Sequence, residues 1–95
     1  MTDSNAKKVI ILGKQNCAKC TTTKNKVGHY INKWGLDGEV PVVFMDMESV
    51  DGLTEGSFRD VWDIPTTIVE TAEATVARWN GEVPKSEMLR ESLGA

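Results

Sequence analysis

The chain has 95 residues, 40% of them apolar and 26% charged, a composition that supports one packed core and leaves no length for a second. Residues 1–95 are therefore read as a single domain, and disordered, collagen-like and coiled-coil chains are excluded. The net charge of −3 hides an asymmetry: residues 1–36 carry seven lysines against Asp3, whereas residues 37–95 carry four bases against thirteen acids.

The basic half does not read as a nucleic-acid interface, because it holds no arginine and only Tyr30 and Trp34 as stacking groups. The longest uninterrupted apolar stretches, 9–12 and 42–45, fall far short of the roughly 20 residues of a membrane helix. Lys7 and Lys8 precede only four apolar residues, fewer than the roughly 7–15 of a secretory leader. Neither nucleic acid nor a membrane is an expected partner, and a cytoplasmic location is expected.

In chain order, Val9-Ile10-Ile11-Leu12 is a continuous aliphatic run closed by Gly13, the pattern of a central, parallel strand buried on both faces. Asn16 is then positioned as a helix cap, and Val27, Tyr30, Ile31 and Trp34 recur at helical spacing until Gly35. The spacing predicts a helix of about 17 residues with one apolar face. Residues 40–47, with Pro41 at the start, predict a second buried strand. Phe58, Val61 and Trp62 fit a short helix from Thr54, although two glycines weaken it. Residues 64–70 and 74–79 are rich in strand formers and predict a hairpin ended by Gly81. Pro84 opens a last helix whose Met88, Leu89 and Leu93 are expected against the sheet.

Cys17-Ala18-Lys19-Cys20 stands where the first strand gives way to the first helix. A close cysteine pair in a reducing compartment serves redox chemistry or forms half of a metal site. Zinc wants four ligands, and His29 alone could join; nine residues on along one helix, it is half a turn out of phase and about 13 Å away. His29 is expected on the surface, and no metal is expected. Cys17 falls at the helix N-terminus, where unsatisfied N–H groups and the helix dipole favour a thiolate, and Lys14 and Lys19 add positive charge within three residues. The i, i+3 spacing brings both sulfurs to one side. The reading is dithiol exchange: Cys17 attacks, Cys20 resolves, and no cofactor beyond a redox-active Cys17–Cys20 disulfide is needed. A metal or cluster shared between two chains, and a purely structural pair, are the alternatives. Trp34 and Trp79 are expected in the core, Trp62 on a rim beside the cysteines, and Thr21-Thr22-Thr23 on the helix surface.

The order β-α-β-α-β-β-α, with the cysteine pair opening the first helix, resembles the thioredoxin-like superfamily over residues 9–93. Three landmarks carry the resemblance: Cys17-Ala18-Lys19-Cys20 after a buried strand, Val61-x-x-Ile64-Pro65-Thr66 at the start of the third strand, and Gly81 sixteen residues beyond that proline. It implies an α/β, thioredoxin-like, glutaredoxin-sized fold whose four-stranded mixed sheet, order 2-1-3-4, is flanked by helices. It implies that Pro65 is cis and lies beside the cysteines, and that Ile64 offers its backbone to an extended substrate.

The departures are specific. Thioredoxins carry a buried acid six residues before the first cysteine, where this chain has Ile11, and Asn16-Cys17-Ala18-Lys19-Cys20 lacks their tryptophan and proline. Glutaredoxins are similar in length and in a lysine matched by Lys14, but their glycine pair after the hairpin is replaced by Asn80-Gly81-Glu82. The resemblance implies a monomeric protein-disulfide reductase recycled by a thioredoxin-reductase-type flavoprotein or by glutathione. Ala18, Trp62, Ile64, Pro65 and Gly81 would form its substrate rim. Glu82 would repel a glutathione carboxylate, which favours protein partners.

Overall fold

The aliphatic run at 9–12 forms the strand β1 (Lys8–Gly13), in which every residue after Lys8 is buried. A computed structural model describes residues 6–95; residues 1–5, the start of the segment read above for a leader, lie outside the described residues. The remaining elements follow in the expected order: α1 (Ala18–Lys33), β2 (Val42–Asp46), α2 (Val50–Phe58), β3 (Thr66–Glu70), β4 (Thr75–Asn80) and α3 (Ser86–Leu93). The sheet has the order β2-β1-β3-β4. β1 runs parallel to β2 and antiparallel to β3, and β3 and β4 form the hairpin.

β1 is central because it is apolar on both faces. Val9 and Ile11 pack with Val27 and Ile31 of α1 and Leu89 and Leu93 of α3, whereas Ile10 and Leu12 pack with Val61 and Ile68 on the other face. Each such side chain contributes about 1.5–3 kcal/mol by leaving water. On α1, Cys20, Thr23, Val27 and Ile31 are buried, and Tyr30 and Trp34 pack half-buried against the same cluster. Thr23 is thus a core residue and not helix surface, because it lies one turn after Cys20 on the face turned to the sheet. Gly35, with φ +70°, ends the helix, and Leu36 N–H returns to the Ile31 carbonyl at 2.9 Å.

Four expectations are corrected. β2 is shorter than 40–47 and only half-buried, because it is the sheet edge and Val43 faces outward. α2 starts at Val50 instead of Thr54, capped by Ser49, whose Oγ accepts the Gly52 N–H at 2.9 Å. Its buried face is not Phe58, Val61 and Trp62: Phe58 and Trp62 are each 86% exposed, and Val61 follows the helix. The face consists of Gly52 and Gly56. A Cβ on Gly52 would fall on the Asp46 carbonyl oxygen, and one on Gly56 would fall on the Met47 side chain. In α3, Leu89 and Leu93 are buried four residues apart, and this leaves Met88 turned outward and half-exposed. Among the described residues no helix is long and apolar enough to cross a membrane.

Candidate active site

The end of β1 and the first turn of α1 bring the two cysteines together as a disulfide with a Cα–Cα distance of 5.1 Å. Cys17, not Asn16, is the N-cap: its backbone is extended and its Sγ accepts the Cys20 N–H at 3.1 Å. A sulfur thus takes the place usually held by a side-chain oxygen. No acid stands in the first turn of α1, so nothing offsets the positive end of the helix dipole there. Cys17 is partly exposed, while Cys20 is fully buried.

Cys20 sits over Gly13. A Cβ on Gly13 would lie 2.7 Å from the Cys20 Sγ and 3.0 Å from its Cβ, with the Phe44 ring at 3.6 Å. Lys24, one turn along α1, lies with its Nζ 5.1 Å from the centroid of that ring.

Just ahead of β3, the Ile64–Pro65 peptide bond is cis and Pro65 is fully buried. The Pro65 carbonyl accepts the Gly81 N–H at 2.8 Å, and the Gly81 carbonyl accepts from Lys19 Nζ at 3.3 Å. Gly81 therefore ties the start of α1 to the segment ahead of β3. Its φ of +69° and the Asp63 Cβ, 3.2 Å from where a Gly81 Cβ would be, make any side chain there strained and tightly packed. The Ile64 N–H and carbonyl have no backbone hydrogen-bond partner among the described residues. Trp62 projects into solvent with its Nε1 donating to Asp60 Oδ1 at 2.6 Å, and Asp60 itself is held in a left-handed conformation.

A disulfide joins Cys17 and Cys20, and hydrogen bonds join Lys19, Gly81 and Pro65, the two sets meeting in the first turn of α1 as one group. Lys14 and Trp62 are exposed on the flanking loops, and no hydrogen bond links either to that group. Gly13 is a site residue that strand patterning does not single out, since it reads there only as the strand's end. His29 is exposed and packs edge-on to Tyr30. Among the described residues, no three of His, Cys, Asp or Glu gather as a metal site. A broad concavity lies at the opposite end of the sheet, lined by Lys8, Phe58, Arg59, Glu70 and Arg78 among others, and neither cysteine borders it.

No protein-family model matches the sequence, and no curated protein matches it. Solved structures do match. A malarial protein superposes with a TM-score of 0.76 at 17% identity over 94% of each chain. Thioredoxin-2 of the malaria parasite, described as a component of its protein secretion machinery, gives 0.76 at 17% identity over 94% of this chain and 82% of the other. Oxidised mitochondrial thioredoxin 3 from Saccharomyces cerevisiae gives 0.72 at 17% identity over 95% of this chain and 78% of the other. The fold is thioredoxin-like. It carries a C-x-x-C disulfide at the N-terminus of its first helix.

Proposed function

We propose that the chain is a thiol-disulfide oxidoreductase that reduces protein disulfides by dithiol exchange. The observation that carries this reading is the unequal exposure of two bonded sulfurs: Cys17 partly open to solvent at the helix cap, Cys20 fully buried behind it. In the reduced protein, the Cys17 thiolate would be stabilised by the Cys20 N–H, the helix N-terminus and Lys19. It attacks a substrate disulfide, one substrate thiol leaves, and Cys20 then attacks Cys17 Sγ. The second substrate thiol leaves and the Cys17–Cys20 bond re-forms.

The unpaired backbone at Ile64 supports a substrate bound as an added extended segment, with Trp62 and Gly81 as its rim and the fully buried Pro65 beneath it, not on the rim. Asp63 beside Gly81, and the exposed Glu82 after it, set two carboxylates on this flank against the one Lys19 ammonium at the Gly81 carbonyl. That supports protein substrates and a thioredoxin-reductase-type flavoprotein over glutathione, whose carboxylates would be repelled. The proposed setting is a monomer in a reducing compartment, where the disulfide is continually recycled.

The test is reduction of insulin disulfides with each recycling system, at equal protein concentration. Turnover is expected with the flavoprotein system, Cys17 is expected to be alkylated first between about pH 5 and 8, and Cys20→Ser is expected to trap a mixed disulfide. Turnover with glutathione alone would overturn the choice of donor. First alkylation at Cys20 would reverse the two roles.

A further inference from the structure

Three threonines are fully buried, and they differ in one respect. Thr23 donates to the Lys19 carbonyl at 2.8 Å and Thr66 to the Asp63 carbonyl at 2.6 Å. Thr67 Oγ1 has no partner, the single such buried side-chain atom among the described residues. A buried hydroxyl left unpaired is disfavoured. A protein that changes redox state can supply the missing partner in its other state.

The sheet register locates this hydroxyl. Phe44, Ile11, Thr67 and Trp79 are cross-strand partners from β2 to β4, and Ile11 and Trp79 belong to the core cluster under α1 and α3. Side chains alternate along a strand, so Gly13, the last residue of β1, shares the face of Ile11. Cys20 lies over Gly13. Thr67 is therefore on the sheet face that Cys20 lies over, on the neighbouring strand and one pleat along from the level of Gly13, and its hydroxyl does not bond the Cys20 sulfur while the disulfide is closed.

We propose that, once the disulfide opens, the Thr67 hydroxyl donates a hydrogen bond to Cys20 Sγ and stabilises the thiolate that this buried cysteine forms in order to resolve a mixed disulfide. The proposal rests on the dithiol-exchange reading. In that step Cys20 loses its proton to solvent, and its thiolate attacks Cys17 Sγ. The bond between Cys17 and the substrate sulfur breaks, and the substrate thiolate departs with the electron pair and is protonated. Over attack and resolution together, the protein is oxidised by two electrons and the substrate disulfide is reduced by two.

Few charged groups face Cys20. Its own helix brings Cys17, Lys19, turned to the Gly81 carbonyl, and Lys24, over the Phe44 ring. β2 brings Asp46, the register partner of Gly13, whose Oδ1 accepts the Glu48 N–H at 2.8 Å. Asp63 stands beside Gly81. At this level of the sheet face, β1 carries Ile11 and Gly13, β3 Thr67 and β4 Trp79, and α3 adds Leu89 to the same core cluster, none of them charged. Asp46 is thus the one rival to Thr67 on the sheet, and the two act oppositely: a carboxylate opposes a neighbouring thiolate, whereas a hydroxyl stabilises it.

The experiment mixes reduced protein with an aromatic disulfide. One coloured thiolate is released on attack by Cys17 and a second on resolution by Cys20. In parallel, the Cys20 titration is followed through its 13Cβ shift. Thr67→Val, which keeps the shape, is expected to raise that titration by about one pH unit. It is expected to slow the second phase roughly threefold at pH 7, part of the thiolate loss being offset by higher nucleophilicity. The first phase should be unchanged, Thr67→Ser should restore both readouts, and Asp46→Asn should not slow the second phase. A Cys20 titration unmoved by Thr67→Val, or a second phase slowed by Asp46→Asn and not by Thr67→Val, would overturn the proposal. A wild-type protein lacking the second phase would defeat the exchange reading alone, and the titration comparison would still decide the hydrogen bond.

Discussion

Gly13 and Cys20 compete for one space: a methyl group on Gly13 would stand 2.7 Å from the Cys20 Sγ. The sulfur cannot simply turn away in the oxidised protein, because it is bonded to Cys17. Gly13→Ala is therefore expected to destabilise the disulfide form by about 1–3 kcal/mol, the usual cost of overpacking, and the reduced form by less, since a free Cys20 side chain can rotate. Urea unfolding with and without reductant measures the difference. Equal losses in the two states would mean that the sulfur is not the obstacle.

Lys14 and Lys19 share a charge but not a position. Lys19 reaches the Gly81 carbonyl from the first turn of α1, while Lys14 is exposed on the preceding loop. Lys19→Glu is expected to shift the pH midpoint of Cys17 alkylation upward, and to do so more than Lys14→Glu. Both shifts should shrink between low salt and about 0.5 M salt, where charges are screened within a few ångströms. A salt-independent effect of Lys19→Glu would instead point to the lost contact with Gly81.

What the sequence makes legible follows from how each element buries itself. β1 and α1 are readable because β1 is an unbroken aliphatic run buried on both faces and α1 buries apolar side chains at a period of about 3.6, and the cysteine pair between them is conspicuous. The buried side of α2 is made of Gly52 and Gly56, which no apolar period detects. Asn16 has the better capping propensity, yet Cys17 takes the cap because its sulfur stands over the Cys20 N–H. Gly13 and Thr67 read as ordinary strand residues, and only tertiary register brings them to the cysteines.

Gly28 and Gly52 are both helical glycines, yet alanine should act oppositely at the two. Nothing lies within 4 Å of a Cβ on Gly28, so Gly28→Ala gains helix propensity and is expected to stabilise the protein by about 0.5–1 kcal/mol. At Gly52 the Cβ meets the backbone carbonyl of Asp46, which cannot turn aside as a side chain can. Gly52→Ala is expected to cost about 1–3 kcal/mol or more by forcing α2 off β2. Thermal unfolding of the two variants checks the sign, and a stabilising Gly52→Ala would refute the close packing of α2.

The ion cluster at the far end of the sheet gives the fold an acid-sensitive element. Arg59 holds Glu70 through two hydrogen bonds, at 2.6 and 3.2 Å, and also bonds Glu55 at 3.1 Å, while Lys8 stands 3.6 Å from Glu70. Both Arg59 and Glu70 are largely buried. The hydrogen bond from Arg59 holds the Glu70 carboxyl below the usual glutamate range, outweighing burial, which pushes it the other way. A carboxyl depressed in the folded state stabilises the fold fully above its unfolded value of about 4.3, and the contribution is lost as pH falls through the lower folded value. Glu70→Gln is therefore expected to cost about 1–3 kcal/mol at pH 7. The gap between variant and wild type should close as the pH falls below about 4. Urea unfolding from pH 7 down to pH 2 measures this, and a gap that stays constant across the range would show that Glu70 acts through packing and not through its charge.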